Sequence, residues 1–181
     1  MLIEKTEFAD LLIITPKVIG DARGSFSEVF REDLLSMALG YIPHFVQDNE
    51  SASSEGVFRG LHFQIPPYGM AKLVRVSRGK VLDIVLDLRK TEPTYGRCFK
   101  IELSAENKKQ LFIPQGFAHG FLSLEEGSLF TYKCSNYYSR EHDRTLLWSD
   151  PTFDIRLPHK APLVSDKDAA GMPWSAFDSP F

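Results

Sequence analysis

The side chains best suited to move a proton or hold an anion fall in four stretches of this 181-residue chain. The first runs Gly20-Asp21-Ala22-Arg23-Gly24-Ser25-Phe26-Ser27-Glu28. The second comprises Gln47-Asp48-Asn49 and the segment from Gly56 to Gln64, G-V-F-R-G-L-H-F-Q. Ala71-Lys72-Leu73-Val74 is the third, and Ile113 to Phe121, I-P-Q-G-F-A-H-G-F, the fourth. An imidazole titrates near neutral pH and can exchange a proton there. A few converging Arg and Lys can bind a small anion even inside an acidic protein. Each stretch also has a plainer explanation. The first reads equally as a Gly-flanked hairpin turn whose charges serve solubility. A lone His62 is more often a satisfied core residue than a reactive one, and Lys72 at the start of an apolar strand is ordinarily a snorkelling or edge residue. What argues against a plain core is Arg59 and His62 in one strand among large apolar side chains. Simple alternation places Val57, Arg59, Leu61 and Phe63 on one face and Phe58, Gly60 and His62 on the other.

The elements that must position these groups are strands. Leu11 to Thr15 is a short apolar run stopped by Pro16. Leu73 to Val76 leads into a turn at Ser77-Arg78-Gly79, and Val81 to Leu88 follows as a long strand. Phe99 to Leu103 alternates as F-K-I-E-L, the pattern of a strand with one wet face. Gln110 to Ile113, Phe121 to Leu124 and Ser128 to Cys134 continue the series, separated by turn chemistry at Thr91 to Gly96 and Glu125 to Gly127. In the fourth stretch Pro114 and Gly116 force a turn that delivers His119 to the start of a strand. Only Arg31 to Leu39 reads as a helix, ended by Gly40. The tail from Pro158 is rich in Pro, Asp and Ser and is expected to pack over the barrel as irregular chain. Many short strands with few helices predict one all-β domain over residues 1–181, a jelly roll or antiparallel barrel with short peripheral helices.

Composition narrows the partners. With 21 Lys and Arg against 24 Asp and Glu, the net charge is −3, which gives no footprint for nucleic acid or an anionic membrane. No apolar run approaches the roughly 20 residues of a membrane-spanning helix. The N-terminus, MLIEKTEFAD, lacks the basic start and apolar run of a signal peptide, so a cytoplasmic location is expected. Cys98 and Cys134 show no metal-site spacing and read as free thiols.

Pro114-Gln115-Gly116-Phe117-Ala118-His119 resembles the second motif of cupin barrels, P-x-G-x-x-H. The first cupin motif is altered. His62 is followed two residues later by Gln64, where a metal-binding cupin has a second His, and Lys72 stands where such a cupin has its carboxylate. A cation at a ligand position repels a divalent ion, so no metal and no other cofactor is expected.

Longer stretches are similar to the dTDP-4-dehydrorhamnose 3,5-epimerase family: QDNESASSEGVFRGLHFQ, IPQGFAHGF and YKCSNYYS, with GDARGSFSEVF, LDLRKTEPTYG and the closing SDKD, in order along nearly the whole chain. The resemblance implies a cupin fold, a homodimer, and epimerisation of a dTDP-4-keto-6-deoxy-hexose at the two carbons flanking its ketone. Conversion of dTDP-4-dehydro-6-deoxy-D-glucose to dTDP-4-dehydro-L-rhamnose is the expected reaction. A relative inverting only C3 or only C5, or acting on another nucleotide, would keep almost every motif. A non-catalytic sugar-binding cupin would lack one of four residues that are all present here. Of these four, the resemblance makes His62 the base, Asp168 its hydrogen-bond partner, Lys72 the stabiliser of the enolate oxygen, and Tyr132 the proton donor on the other face, with Tyr138 a helper or stacking partner. It also implies that Arg23, Arg59 and Lys167 neutralise a diphosphate and that Glu28, Gln47 and Asn49 address hydroxyls. Phe26 would stack on the nucleobase and His119 would bond near the sugar. Asp143, expected to contact the substrate, stands where the family has Glu. Phe58 and Met70 are further departures from the family pattern.

Overall fold

The computed structural model describes residues 1–159 and 161–181. Among the described residues there are thirteen strands: β1 (Leu2–Lys5), β2 (Leu12–Thr15), β3 (Val18–Asp21), β4 (Gly24–Ser27), β5 (Gln47–Ser53), β6 (Phe58–Gln64), β7 (Lys72–Arg78), β8 (Lys80–Asp87), β9 (Cys98–Ser104), β10 (Gln110–Ile113), β11 (Phe117–Ser123), β12 (Ser128–Cys134) and β13 (Asp143–Thr145). Helix α1 is Glu32–Leu39 and helix α2 is Asp166–Ala169. A six-stranded sheet has the order β1-β2-β10-β7-β12-β5 and a five-stranded sheet the order β13-β6-β11-β8-β9, while β3 and β4 pair as a separate hairpin. Every pairing between named strands is antiparallel. This is the all-β jelly-roll barrel of cupins.

One core lies between the sheets. Val74, Val76, Leu111, Ile113 and Phe130 come from the six-stranded sheet, and Val81, Val85, Leu103, Phe117 and Phe121 from the five-stranded one. A second core covers the outer face of the five-stranded sheet. There Phe58, Leu61, Phe63, Ile84, Leu86 and Leu88 meet Trp148 and Ile155 and, from the C-terminal tail, Val164, Trp174, Phe177 and Phe181. That is why Val81 to Leu88 is apolar at nearly every position: both of its faces are covered. Helix α1 covers part of the other sheet, packing Leu35 onto Leu12, Ile14, Leu73 and Phe112. It ends at Gly40, whose φ of 79° suits a residue without Cβ.

The sequence expectations hold for the series of strands and need three corrections. Strand β7 continues through Arg78, and the reversal is confined to Gly79 at φ 77°, where an added Cβ would fall 2.4 Å from Ser128 Oγ. Strand β11 starts at Phe117 rather than Phe121, because Ala118 and His119 already pair with Leu86 and Val85 of β8. The tail is mostly irregular, as expected, but it contains α2, which Ser165 caps by accepting the Asp168 backbone N–H at 3.2 Å. Among the described residues no helix is long and apolar enough to cross a membrane.

The feature that most shapes the cleft is a bulge in β6. His62 pairs with His119 of β11, yet Arg59 pairs with Phe121 and Phe58 with Leu122, so Gly60 and Leu61 together oppose Gly120. A bulge shifts side-chain parity by one residue. Arg59 and His62 therefore face the same cleft, while Phe58, Leu61 and Phe63 face the tail, contrary to simple alternation. Only glycine fits at the crossing. Gly60 has φ 130°, and a Cβ there would lie 2.5 Å from Gly120 Cα and 2.8 Å from the His119 carbonyl. Gly60→Ala is accordingly expected to cost about 2 kcal/mol or more, read as a lower urea midpoint with an unchanged slope. A midpoint equal to wild type would contradict the packing described.

Candidate active site

Two adjoining cavities, of about 540 Å³ and 210 Å³, open between the sheets and share His62, Lys72, Tyr132 and Lys167 as walls. Arg59, His119, Phe121, Phe130 and Asp168 also line the larger one. Gln47, Asn49, Gln64, Met70, Cys134, Tyr138 and Asp143 line the smaller. Eleven of the fourteen residues singled out from the sequence line these cavities, which requires strands far apart in the chain to meet. They do: β6 and β11 bring His62, Arg59 and His119 from one sheet, β5, β7 and β12 bring Gln47, Asn49, Lys72 and Tyr132 from the other, and α2 brings Lys167 and Asp168 from the tail.

His62 Nε2 lies 2.5 Å from Asp168 Oδ1, and Asp168 Oδ2 accepts the Gly60 N–H at 3.3 Å. A carboxylate can only accept, so the Nε2 of neutral His62 carries the hydrogen and Nδ1 keeps the lone pair. Burial alone would raise the Asp168 carboxyl. The hydrogen bond and charge of His62, the Gly60 N–H and Ser165 outweigh it and hold the group below the usual carboxylate range.

His119 is built in the same way. Its buried ring stacks on Phe130 at 5.8 Å, and its Nε2 is 2.9 Å from Asp83 Oδ2. Burial depresses its pKa, with Lys72 and His62 adding to the effect and Asp83 opposing it. The ring is therefore neutral and offers Nδ1 as an acceptor. Asp83 was not anticipated from the sequence. Its signal was present: in V-L-D-I-V-L-D, Asp83 and Asp87 share the parity of Val81 and Val85, which face the inner core. Asp87 serves structure. It accepts from Arg89 and Thr94 at 2.6 to 3.0 Å, and Arg89 lies 4.5 Å over the Phe117 ring, so LDLRKTEPTYG locks a turn rather than lining the cleft.

Lys72 faces Cys134 across the β7–β12 pair. Burial depresses its pKa, nearby Lys167 acts in the same direction, and Cys134, Asp83 and Asp143 oppose it. Burial raises the Tyr132 phenol, which keeps its proton available to donate. Burial also raises the Cys134 thiol against the pull of Lys72, and Cys134 Sγ accepts from Asn49 at 3.6 Å. Gln47 donates to Asn49 Oδ1 at 2.9 Å and accepts the Tyr138 backbone N–H at 3.2 Å. Arg59 is aimed by Ser53 Oγ and the Ala52 carbonyl, at 3.1 and 3.2 Å. Gln64, where a metal-binding cupin has His, donates to the carbonyls of Tyr68 and Tyr137 and accepts the Ser139 N–H at 2.6 Å. Its role here is to fix the loop bearing Tyr138. Asp143 accepts from both Lys167 and Tyr138.

Three expected residues stay outside the cleft of their own chain. Arg23 pairs with Asp21 on the exposed hairpin, and Phe26 and Glu28 border a separate recess of about 110 Å³. Phe58 packs on Trp148 at 5.1 Å in the outer core and also borders the larger cavity. Among the described residues no group of three or more His, Cys, Asp or Glu is arranged to hold a metal ion.

A family model described as dTDP-4-dehydrorhamnose 3,5-epimerase matches residues 5–176. A dTDP-4-dehydrorhamnose 3,5-epimerase of Shigella flexneri is 50% identical over 171 residues, 94% of each chain. One from Pseudomonas aeruginosa is 44% identical over 170 residues, 93% of each. Among solved structures, dTDP-6-deoxy-D-glucose-3,5-epimerase RmlC from Legionella pneumophila, in complex with dTDP-4-keto-L-rhamnose, superimposes with a TM-score of 0.93 at 42% identity, covering 98% of this chain and 94% of the other.

The lowered Asp168 pKa fixes a sign. The native carboxylate resists protonation more than the unfolded one, so its contribution is complete above the ordinary value of about 4 and fades as pH falls through the lower native value. The stability gap between wild type and Asp168→Asn is expected to narrow between about pH 5 and pH 2, measured by urea unfolding. A gap that widens on acidification would contradict the ionised pairing.

Proposed function

The chain belongs to the dTDP-4-dehydrorhamnose 3,5-epimerase family, and from that premise we propose which residues invert the two carbons and how. The protein is an isomerase that converts dTDP-4-dehydro-6-deoxy-D-glucose to dTDP-4-dehydro-L-rhamnose. C3–H and C5–H both flank the C4 ketone, so loss of either proton leaves an enolate whose charge rests largely on the ketone oxygen. Inversion then needs an acceptor on one side of the ring, a donor on the other and a cation at the oxygen.

The observation that carries the assignment is the origin of the walls. His62 comes from the five-stranded sheet, whereas Tyr132 and Lys72 come from the six-stranded sheet, and all three border the same cavity. A sugar lying between the sheets meets His62 Nδ1 on one face and the Tyr132 hydroxyl on the other. His62 Nδ1 takes the carbon-bound proton, and Asp168 stabilises the imidazolium that forms. The Lys72 ammonium offsets the enolate charge. Tyr132 then delivers its proton to the opposite face of the same carbon, and exchange with solvent resets both groups before the second inversion.

Arg59 and Lys167 neutralise the diphosphate, with Arg suited to bidentate contact. Gln47 and Asn49 meet sugar and nucleoside hydroxyls, His119 Nδ1 accepts from the sugar, and Tyr138 stacks near the nucleobase. Arg23, Phe26 and Glu28 act on a partner's cleft in a homodimer. The exposed hairpin supports this, since it leaves Ile19 57% and Phe26 63% exposed.

Turnover in heavy water separates the roles. Wild type is expected to yield product labelled at C3 and C5. Tyr132→Phe keeps the base, so deuterium should enter the substrate with its original configuration while product fails to accumulate. His62→Asn should lose exchange and inversion together, with turnover down roughly 10²- to 10⁴-fold. Normal inversion by Tyr132→Phe with its loss in Tyr138→Phe would move the donor role to Tyr138, and near-normal turnover by His62→Asn would remove His62 as base.

A further inference from the structure

At the seam between the two cavities the Lys167 ammonium donates to Asp143 Oδ2 at 2.5 Å, and the same oxygen accepts the Tyr138 hydroxyl at 3.2 Å. One carboxylate thereby ties together three separate elements: β13, the loop after β12, and α2. The Asp143 side chain is 11% exposed and that of Lys167 52%, so the carboxylate is sunk in the wall while the cation projects into the cleft. Asp143 is itself held from behind, because it pairs with Gln64 of β6, the residue whose amide fixes the Tyr137 to Ser139 loop. Lys167 directly precedes Asp168, the partner of His62.

We propose that Asp143 is a positioning residue that acts on the nucleotide sugar through Lys167 and Tyr138 rather than by touching it. The inference rests on the assignment of Lys167 to the diphosphate made above. A lysine ammonium has three donors, and Asp143 occupies one of them, which leaves two for phosphate oxygens. Lysine carries a large rotamer entropy, and a ligand that must order it loses affinity. Holding the ammonium in place beforehand removes that cost. The same carboxylate oxygen holds the phenol of Tyr138, a residue 59% exposed beside the smaller cavity. An aromatic wall and a phosphate-binding cation are thus held by one carboxylate oxygen.

The test is a double-mutant cycle read by calorimetric binding of dTDP to the full-length protein. Asp143→Asn keeps the shape and can still accept from Tyr138, but it loses the charge that holds Lys167. It is expected to weaken dTDP binding on the order of tenfold, and in turnover the loss should fall mainly on KM. Lys167→Met should weaken binding at least as much. In the Lys167→Met background, Asp143→Asn should change the dTDP affinity by less than about twofold, because the residue it acts through is gone. Asp143→Glu, which restores the charge, should recover most of the single-variant loss. Losses that multiply in the double variant would mean that Asp143 meets the ligand directly and would overturn the proposal. Tighter binding by Asp143→Asn would also overturn it, since the carboxylate would then be competing with phosphate for Lys167. A wild type that does not bind dTDP would remove the nucleotide-sugar reading and this inference with it, whereas wild-type binding with multiplying losses would remove this inference alone.

Discussion

The hydrogen bond between His62 and Asp168 crosses 106 residues of chain and joins the barrel to its tail. A carboxylate accepts and never donates when ionised, and that constraint sets the chemistry of the cleft. With Asp168 behind it, His62 must turn its basic nitrogen toward the cavity. The pairing also explains the tail's course. Parallel bridges from Val57 to Leu163 and from Leu146 to Met172 flank α2 and hold it against β6. Phe58 N–H donates to the Leu163 carbonyl and Leu163 N–H to Gly56, so the segment carrying Asp168 is registered to the strand carrying His62.

Charge in the cleft is uneven in a way that suits an anionic substrate passing through an anionic intermediate. Arg59, Lys72 and Lys167 border it, and each nearby carboxylate is already committed: Asp168 to His62, Asp83 to His119, Asp143 to Lys167. His119 is held neutral by burial and stacking, so it orients without adding charge. Lys72 is the cation least compensated by direct contact and the one most shielded from water. Its ammonium is therefore destabilised until negative charge develops beside it, which is the condition for stabilising an enolate more than a ketone.

Much of this was legible in the sequence, and the remainder was hidden for identifiable reasons. The strand series followed from alternation and turn residues, and α1 from its apolar spacing and Gly40. His62, Lys72 and His119 stood out as chemistry-bearing side chains among apolar neighbours, whereas Tyr132, Asp168 and the epimerase reaction came from the family motifs alone. The bulge in β6 did not emerge from alternation because periodicity carries no record of one extra residue. Its only trace was glycine inside two strands, at positions 60 and 120, which meet at the crossing. The outer core was hidden because the tail's apolar residues are scattered and gain order only against the finished sheet. Arg23 and Phe26 on the exposed hairpin, and Glu28 just after it, did not join the cleft that their motif suggested.

The central claim is that the neutral His62 ring carries its hydrogen on Nε2 and presents Nδ1 to the sugar. Nitrogen-15 NMR of the imidazole in histidine-labelled protein, with His62→Asn used to assign the signal, reads this directly. For the neutral ring the account predicts a protonated, pyrrole-type Nε2 and an unprotonated, pyridine-type Nδ1. Addition of dTDP should leave that pattern in place. The opposite tautomer, with hydrogen on Nδ1, would leave no base facing the substrate and would contradict the account.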